Sequence, residues 1–318
     1  MERKVTLTGT NMVLFVFTLL YLAFQVILII PSVVYGEEYI RGKIYEILLI
    51  NQYVIILIPV IVYVLIKRLN IREVFRLNRL EPLPGLIILL LAFPAQFAGN
   101  MLNSLVVYLL QFIGDIPNNP IPVPANLWEL AVGILVIAVS PAICEELLHR
   151  GLLLKAYEKR GSTKAVAFTA IFFGIFHFDI TNLLGATFLG LLIGYYVIRT
   201  NSIFAGILAH FLNNAIFEVL HFFLDDGSSP DKFIKITFQE LSESMLYGVA
   251  GLIAVGLLLM LFKKVTTGKY EEKPPIGSIK DDIISIVSHW PVIAILAFYV
   301  SITGIFLLTI VLTRVSGL

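Results

Sequence analysis

Residues 127–150 read LWELAVGILVIAVSPAICEELLHR, and this stretch decides the fold class. Residues 127–144 hold a single charged side chain, Glu129. About 20 predominantly apolar residues in helical form cross the ~30 Å hydrocarbon core of a bilayer. The run then closes on four ionisable groups, Glu145, Glu146, His149 and Arg150. Ionisable groups at bilayer depth are costly and mark function by default.

Working outward, apolar runs of similar length recur at 12–35, 47–66, 83–113, 183–198, 202–223, 244–262 and 289–313, with a shorter one at 165–178. Of the 318 residues 58% are hydrophobic and only 14% charged. A soluble chain is nearer 45–50% apolar and about 25% charged, so a soluble enzyme and a disordered scaffold are excluded. With 23 Lys+Arg against 22 Asp+Glu there is no basic field to attract nucleic acid. The single cysteine, Cys144, permits no internal disulfide and no cysteine metal cluster, and reads as a small packing residue. The fold class is all-α: a polytopic integral membrane helical bundle of about eight to nine segments.

Basic residues favour the cytoplasmic side. With the N-terminus inside and 165–178 counted as a crossing, 18 of the 23 Lys+Arg fall inside. Omitting that segment would move Lys263 and Lys264 outside, so nine crossings are expected, in a multi-pass cell-membrane protein with its C-terminus outside. The first apolar run lacks a small-residue cleavage site and reads as a retained span. The outer loop 115–126 is Pro-rich and the outer loop 225–231 is acidic. Three regions are expected: N-terminal membrane helices (1–120), a central core (125–223) and C-terminal membrane helices (236–318).

The central region concentrates the costly residues. Glu146 and Arg150 are i,i+4 and can pair on one helix face, which leaves Glu145 without a local cation. Phe173 and His177 repeat that spacing, as do His210 and Asn214, with Glu218 continuing the stripe. Glu146 and His177 lie about equally far from the turn Gly161-Ser162, so an antiparallel hairpin brings them to one height, and His210 reaches a similar depth. Basic residues at this turn put the group below the cytoplasmic interface. His149 is expected to snorkel at that interface, and Glu218 and His221 to be solvated near the outer one. Asn213 is a second candidate for the inward amide. Gly185, Ala186, Gly190 and Gly194 read as close-packing sites.

Glu-Glu-x-x-x-Arg at 145–150, Phe-x-x-x-His at 173–177 and His-x-x-x-Asn at 210–214, in that order, resemble the CPBP family: type II CAAX prenyl endopeptidases and their bacteriocin-processing and immunity relatives. The resemblance implies an intramembrane endopeptidase acting on a peptide or lipidated peptide within the lipid bilayer. It implies that Glu145 and His177 activate water and that His210 and Asn214 stabilise the oxyanion. Glu146 and Arg150 are then supporting, with Phe173 packed on His177.

The residue types allow that chemistry on their own terms. A partly desolvated Glu145 near His177 suits a general base, and Asn214 and His210 suit oxyanion donors. Glu145, His177 and His210 could instead hold zinc with water in the fourth position. No His-Glu-x-x-His is present to demand it, and water activation without a tightly bound metal is the expected wiring. Buried Glu/His sets also serve proton- or ion-coupled transporters, although the chain shows no internal repeat. A non-catalytic immunity or scaffold member is the third reading.

Overall fold

The computed structural model describes residues 4–118, 121–224, 233–268, 270 and 272–316. The acidic loop 225–231, the first three residues and part of the Pro-rich loop (119–120) lie outside the described residues. Ten helices carry the architecture. They are α1 (Leu7–Tyr35), α2 (Ile44–Ile66), α3 (Pro82–Leu110), α4 (Leu127–Arg160), α5 (Ser162–Ile175), α6 (Leu183–Thr200), α7 (Ile203–Leu224), α8 (Phe238–Val265), α9 (Ile279–Val287) and α10 (Trp290–Ser316). A two-residue antiparallel pairing, Ile116–Pro117 with Phe233–Ile234, is the only strand structure among the described residues.

Eight of these helices are long and apolar enough to cross a membrane. In lipid every backbone polar group needs an internal partner, and a helix provides it. The ninth expected crossing is α5, which has only 14 residues. At 1.5 Å per residue it spans about 21 Å, short of a full hydrocarbon core. The expected helix at 165–178 therefore stops early. The chain turns at Phe178, whose φ is +50°, where its ring stacks on Tyr21 at 5.0 Å. His177 thus lies just beyond a helix end and not within a span.

Small residues set the closest crossings. A Cβ on Gly190 of α6 would meet the Ala170 Cα of α5 at 2.9 Å, and one on Gly251 of α8 would meet the Pro94 carbonyl of α3 at 2.6 Å. Side chains of ordinary size would hold these helices apart. α3 and α8 consequently pack along their length, and α5 on α6. α7 lies between α3, α6 and the middle of α4.

A polar clasp ties the α4–α5 hairpin tip to the segment before α9. Glu158 is fully buried and accepts hydrogen bonds from Arg76 (2.8 Å), Lys273 (3.0 Å) and Tyr270 (3.1 Å). Lys164 donates to the carbonyls of Ile276 and Gly277 and to Asp282. Arg160 also pairs with Asp282. Gly161 sits under Pro275 so closely that a Cβ would meet its Cα at 2.6 Å. Its φ of +110° likewise favours glycine.

Removing one partner of a buried ion pair leaves an uncompensated charge and costs about 3–5 kcal/mol. Glu158→Ala is therefore expected to lower the thermal unfolding midpoint of the purified protein by several degrees, whereas Lys43→Ala, in an exposed pair, leaves it unmoved. Burial works against the Asp282 charge, but the hydrogen bonds from Lys164 and Arg160 outweigh it and hold the carboxyl below its ordinary value. The unfolded chain then takes up this proton first. Asp282's contribution to stability is complete above about pH 4 and lost as the pH falls through its folded-state value. Asp282→Asn should flatten the acid limb of the midpoint-versus-pH curve.

Candidate active site

α4 is not a uniform helix. Its α-helical turns Ser140–Glu146 lie between two π-helical stretches, Ile134–Val139 and Leu147–Leu153. Such widened turns recur at functional sites. Pro141 has no N–H to offer the Ile137 carbonyl, and the Asn214 amide donates to that carbonyl at 2.9 Å. A proline in α4 thereby fixes a side chain of α7.

Glu146 and Arg150 pair at 2.8 Å, and both side chains are fully buried. The same Glu146 oxygen accepts from His210 Nδ1 at 2.9 Å. Arg150 also donates to the Gly190 carbonyl at 3.2 Å. Gly206 makes room for the other Glu146 oxygen, which a Cβ there would meet at 2.8 Å. Phe173 is the centre of the cluster. The Arg150 guanidinium lies over its ring at 4.4 Å. His149, His177 and His210 meet the ring edge-on at 5.1, 5.0 and 5.6 Å.

His177 follows from the early stop of α5. The last carbonyls of a helix lack intrahelical partners, and His177 Nδ1 donates to one of them, that of Phe173, at 2.7 Å. A carbonyl only accepts, so Nδ1 carries a proton, and in the neutral ring Nε2 is the nitrogen with the lone pair. Glu145 accepts from Gln52 Nε2 of α2 at 2.8 Å through Oε1, and Oε2 has no protein hydrogen bond among the described residues. Asn214 receives a bond from Asn213 at 3.1 Å.

Glu145, Phe173, His177, His210 and Asn214 line one cavity of about 450 Å³, together with Gln52. Glu146 and Arg150 stand behind it. Among the described residues no group of three or more His, Cys, Asp and Glu side chains is placed to hold a metal ion. His210 Nδ1 is committed to Glu146 and a Glu145 oxygen to Gln52. These bonds leave His177 Nε2, His210 Nε2 and Glu145 Oε2 uncommitted, as the outer hydrogen bonds of metal ligands also do.

Residues 127–216 match the family model Rce1-like, type II CAAX prenyl endopeptidase Rce1-like. The resemblance carried by the three motifs is shown for this stretch. The Rce1-like segment runs from the start of α4 into α7 and contains Glu145, Glu146, Arg150, Phe173, His177, His210 and Asn214. It leaves out α1–α3 and α8–α10. No curated protein and no solved structure matches the chain.

Two expectations are corrected. His149 does not snorkel: it is 2% exposed, because the π turn that carries it is enclosed on nearly every side. Glu218 is not solvated: it is 0% exposed, and neither carboxyl oxygen has a hydrogen-bond partner among the described residues. α7 presses it against Gly133, where a Cβ would lie 2.2 Å from its Oε1. Sequence reasoning also missed Gln52, and with it Gln96, Asn100 and Asn103 of α3, which line the same cavity. The available signal was an amide inside an otherwise apolar run.

The buried pair gives a stability test. Arg150→Met leaves Glu146 without its main counter-charge and is expected to cost about 3–5 kcal/mol, read as a large drop in the unfolding midpoint. Arg150→Met with Glu146→Leu removes both charges and should recover part of that loss.

Proposed function

We propose that this chain is an intramembrane endopeptidase that hydrolyses a peptide bond with a water activated by Glu145 and His177. The observation that carries the proposal is the convergence of Glu145 from α4, His177 beyond α5, and His210 and Asn214 from α7 on one cavity, inside the Rce1-like segment.

Glu145 Oε2 takes a proton from the water as its oxygen attacks the carbonyl carbon, and the His177 Nε2 lone pair accepts the other O–H and aims it. The new C–O bond pushes an electron pair onto the carbonyl oxygen. Asn214 keeps one amide hydrogen for that oxyanion, the other being committed to the Ile137 carbonyl. His210, whose Nδ1 is bonded to Glu146, is the second group that stabilises the oxyanion. As the tetrahedral intermediate collapses the C–N bond breaks, and the leaving amine takes the proton from Glu145. Glu146, Arg150 and Phe173 hold His210 and His177 in place.

The substrate is a peptide or lipidated peptide reached from the bilayer. The Lys and Arg residues at the α4–α5 tip support placing this tip, and the N-terminus, on the cytoplasmic side. The cleaved bond then lies near the cytoplasmic leaflet.

The test is cleavage of internally quenched peptides, prenylated and unprenylated, by the full chain in liposomes. Glu145→Gln and His177→Ala are each expected to lower kcat by about 10²–10⁴, and Asn214→Ala by about 10²–10³. Wild-type turnover in Glu145→Gln would overturn the assignment of the base. Absence of cleavage by the wild type, with a pH-dependent ion flux requiring Glu145, would replace hydrolysis by transport. Stoichiometric zinc in the purified protein, with chelator-sensitive and zinc-restored cleavage, would overturn the metal-free wiring.

A further inference from the structure

The cavity has a second wall that the three motifs do not contain. Gln96, Asn100 and Asn103 recur at spacings of four and three along α3, so they share one helix face, and all three line the cavity. This helix lies outside the Rce1-like segment. Its rotation is fixed by α6. A Cβ on Gly99 would lie 4.0 Å from the Gly185 Cα, so the two backbones cross closely. At that crossing Asn103 donates to Asn182 Oδ1 at 2.9 Å and accepts from the Gly185 N–H at 2.8 Å. Both ends of the Asn103 amide are thus used to set the face that α3 presents.

Gln96 and Asn100 have no such employment. The one bond between them, Gln96 Nε2 to Asn100 Oδ1, is long at 3.4 Å. Among the described residues Gln96 Oε1 is enclosed without a hydrogen-bond partner, and an enclosed polar atom is costly unless something meets it. Asn100 is exposed on its helix and lines the cavity. The reactive groups Glu145, His177 and His210 line the same cavity, and no Lys or Arg does so among the described residues.

We infer that Gln96 and Asn100 form the substrate-binding wall, and that they hold an extended peptide by its backbone. The inference rests on the hydrolytic reading above and names what that site takes. A carboxamide offers a donor and an acceptor together, which complements the N–H and C=O of an extended strand. A peptide drawn into a membrane cavity loses its water, and each of its backbone groups then needs a protein partner. Amides supply this without regard to side chain. The substrate class is therefore an uncharged extended segment chosen by access and backbone exposure more than by side-chain identity.

Backbone-ester substrates test it on the full chain. An ester replaces one N–H by oxygen and leaves the side chains in place. A lost net hydrogen bond corresponds to roughly a tenfold change. Gln96→Leu and Asn100→Leu are each expected to raise KM about five- to tenfold, with kcat within about twofold. One ester position should lower wild-type kcat/KM about tenfold and lower it no further in Asn100→Leu. Esters that act equally on wild type and variants would overturn the proposal, as would an unchanged KM. A misfolded variant would lose kcat on every substrate alike, so Gln96→Asn and Asn100→Gln, which keep the amide, provide the folded comparison and should restore the ester sensitivity. The same coupling is read in binding, by fluorescence anisotropy of labelled peptide on Glu145→Gln. Coupled binding without wild-type cleavage would overturn hydrolysis and leave the wall assigned. Cleavage without coupling would do the reverse.

Discussion

A carboxylate with no route to water has to find its counter-charge inside the protein. Glu146 meets this demand with Arg150 and His210, and the aromatic face of Phe173 covers the guanidinium. Neither charge would be tolerated alone at zero exposure. Their joint burial pins α4 to α7 through His210, to α6 through the Gly190 carbonyl and to α5 through Phe173. The three helices that supply the chemistry, and α6 beside them, are held by one ion pair that stands behind the cavity.

The groups that face the cavity are held more lightly, two of them by a carbonyl freed at a break in regular helix. His177 is oriented by a carbonyl that the end of α5 leaves free. Asn214 is oriented by a carbonyl that Pro141 cannot satisfy. Glu145 is oriented by an amide from α2. Irregularity of the helices and rigidity of the site are thus two aspects of one arrangement: each unpaired backbone group becomes an anchor for a side chain with work to do.

Much of this was legible in the sequence. The bilayer forces long apolar runs and isolates the ionisable residues within them, so α4, α6 and α7 and the pairing of Glu146 with Arg150 could be read from spacing. The end of α5 could not, because Phe176 and Phe178 continue the apolar run past the point where the helix stops. The burial of His149 is not legible because a helical wheel carries no information about what encloses it. That of Glu218 is not legible because nearness to the end of a span is not nearness to water. Gln52, Gln96 and Asn100 are inconspicuous for a different reason. An amide costs less than a charge in an apolar run, and ranking residues by ionisability passes over it.

The clasp around Glu158 bears on the order in which the molecule can be made. A chain is synthesised from its N-terminus, so Arg76 already exists when Glu158 leaves the ribosome, but Tyr270 and Lys273 do not. Until more than a hundred further residues have followed, the carboxylate has one of its two cations, and Lys164 lacks the carbonyls of Ile276 and Gly277. The hairpin that bears Glu145 on one arm and leads to His177 on the other is therefore fastened late. Its closing piece comes from the far end of the chain, and a nascent protein holds every reactive residue before it holds the geometry that aligns them.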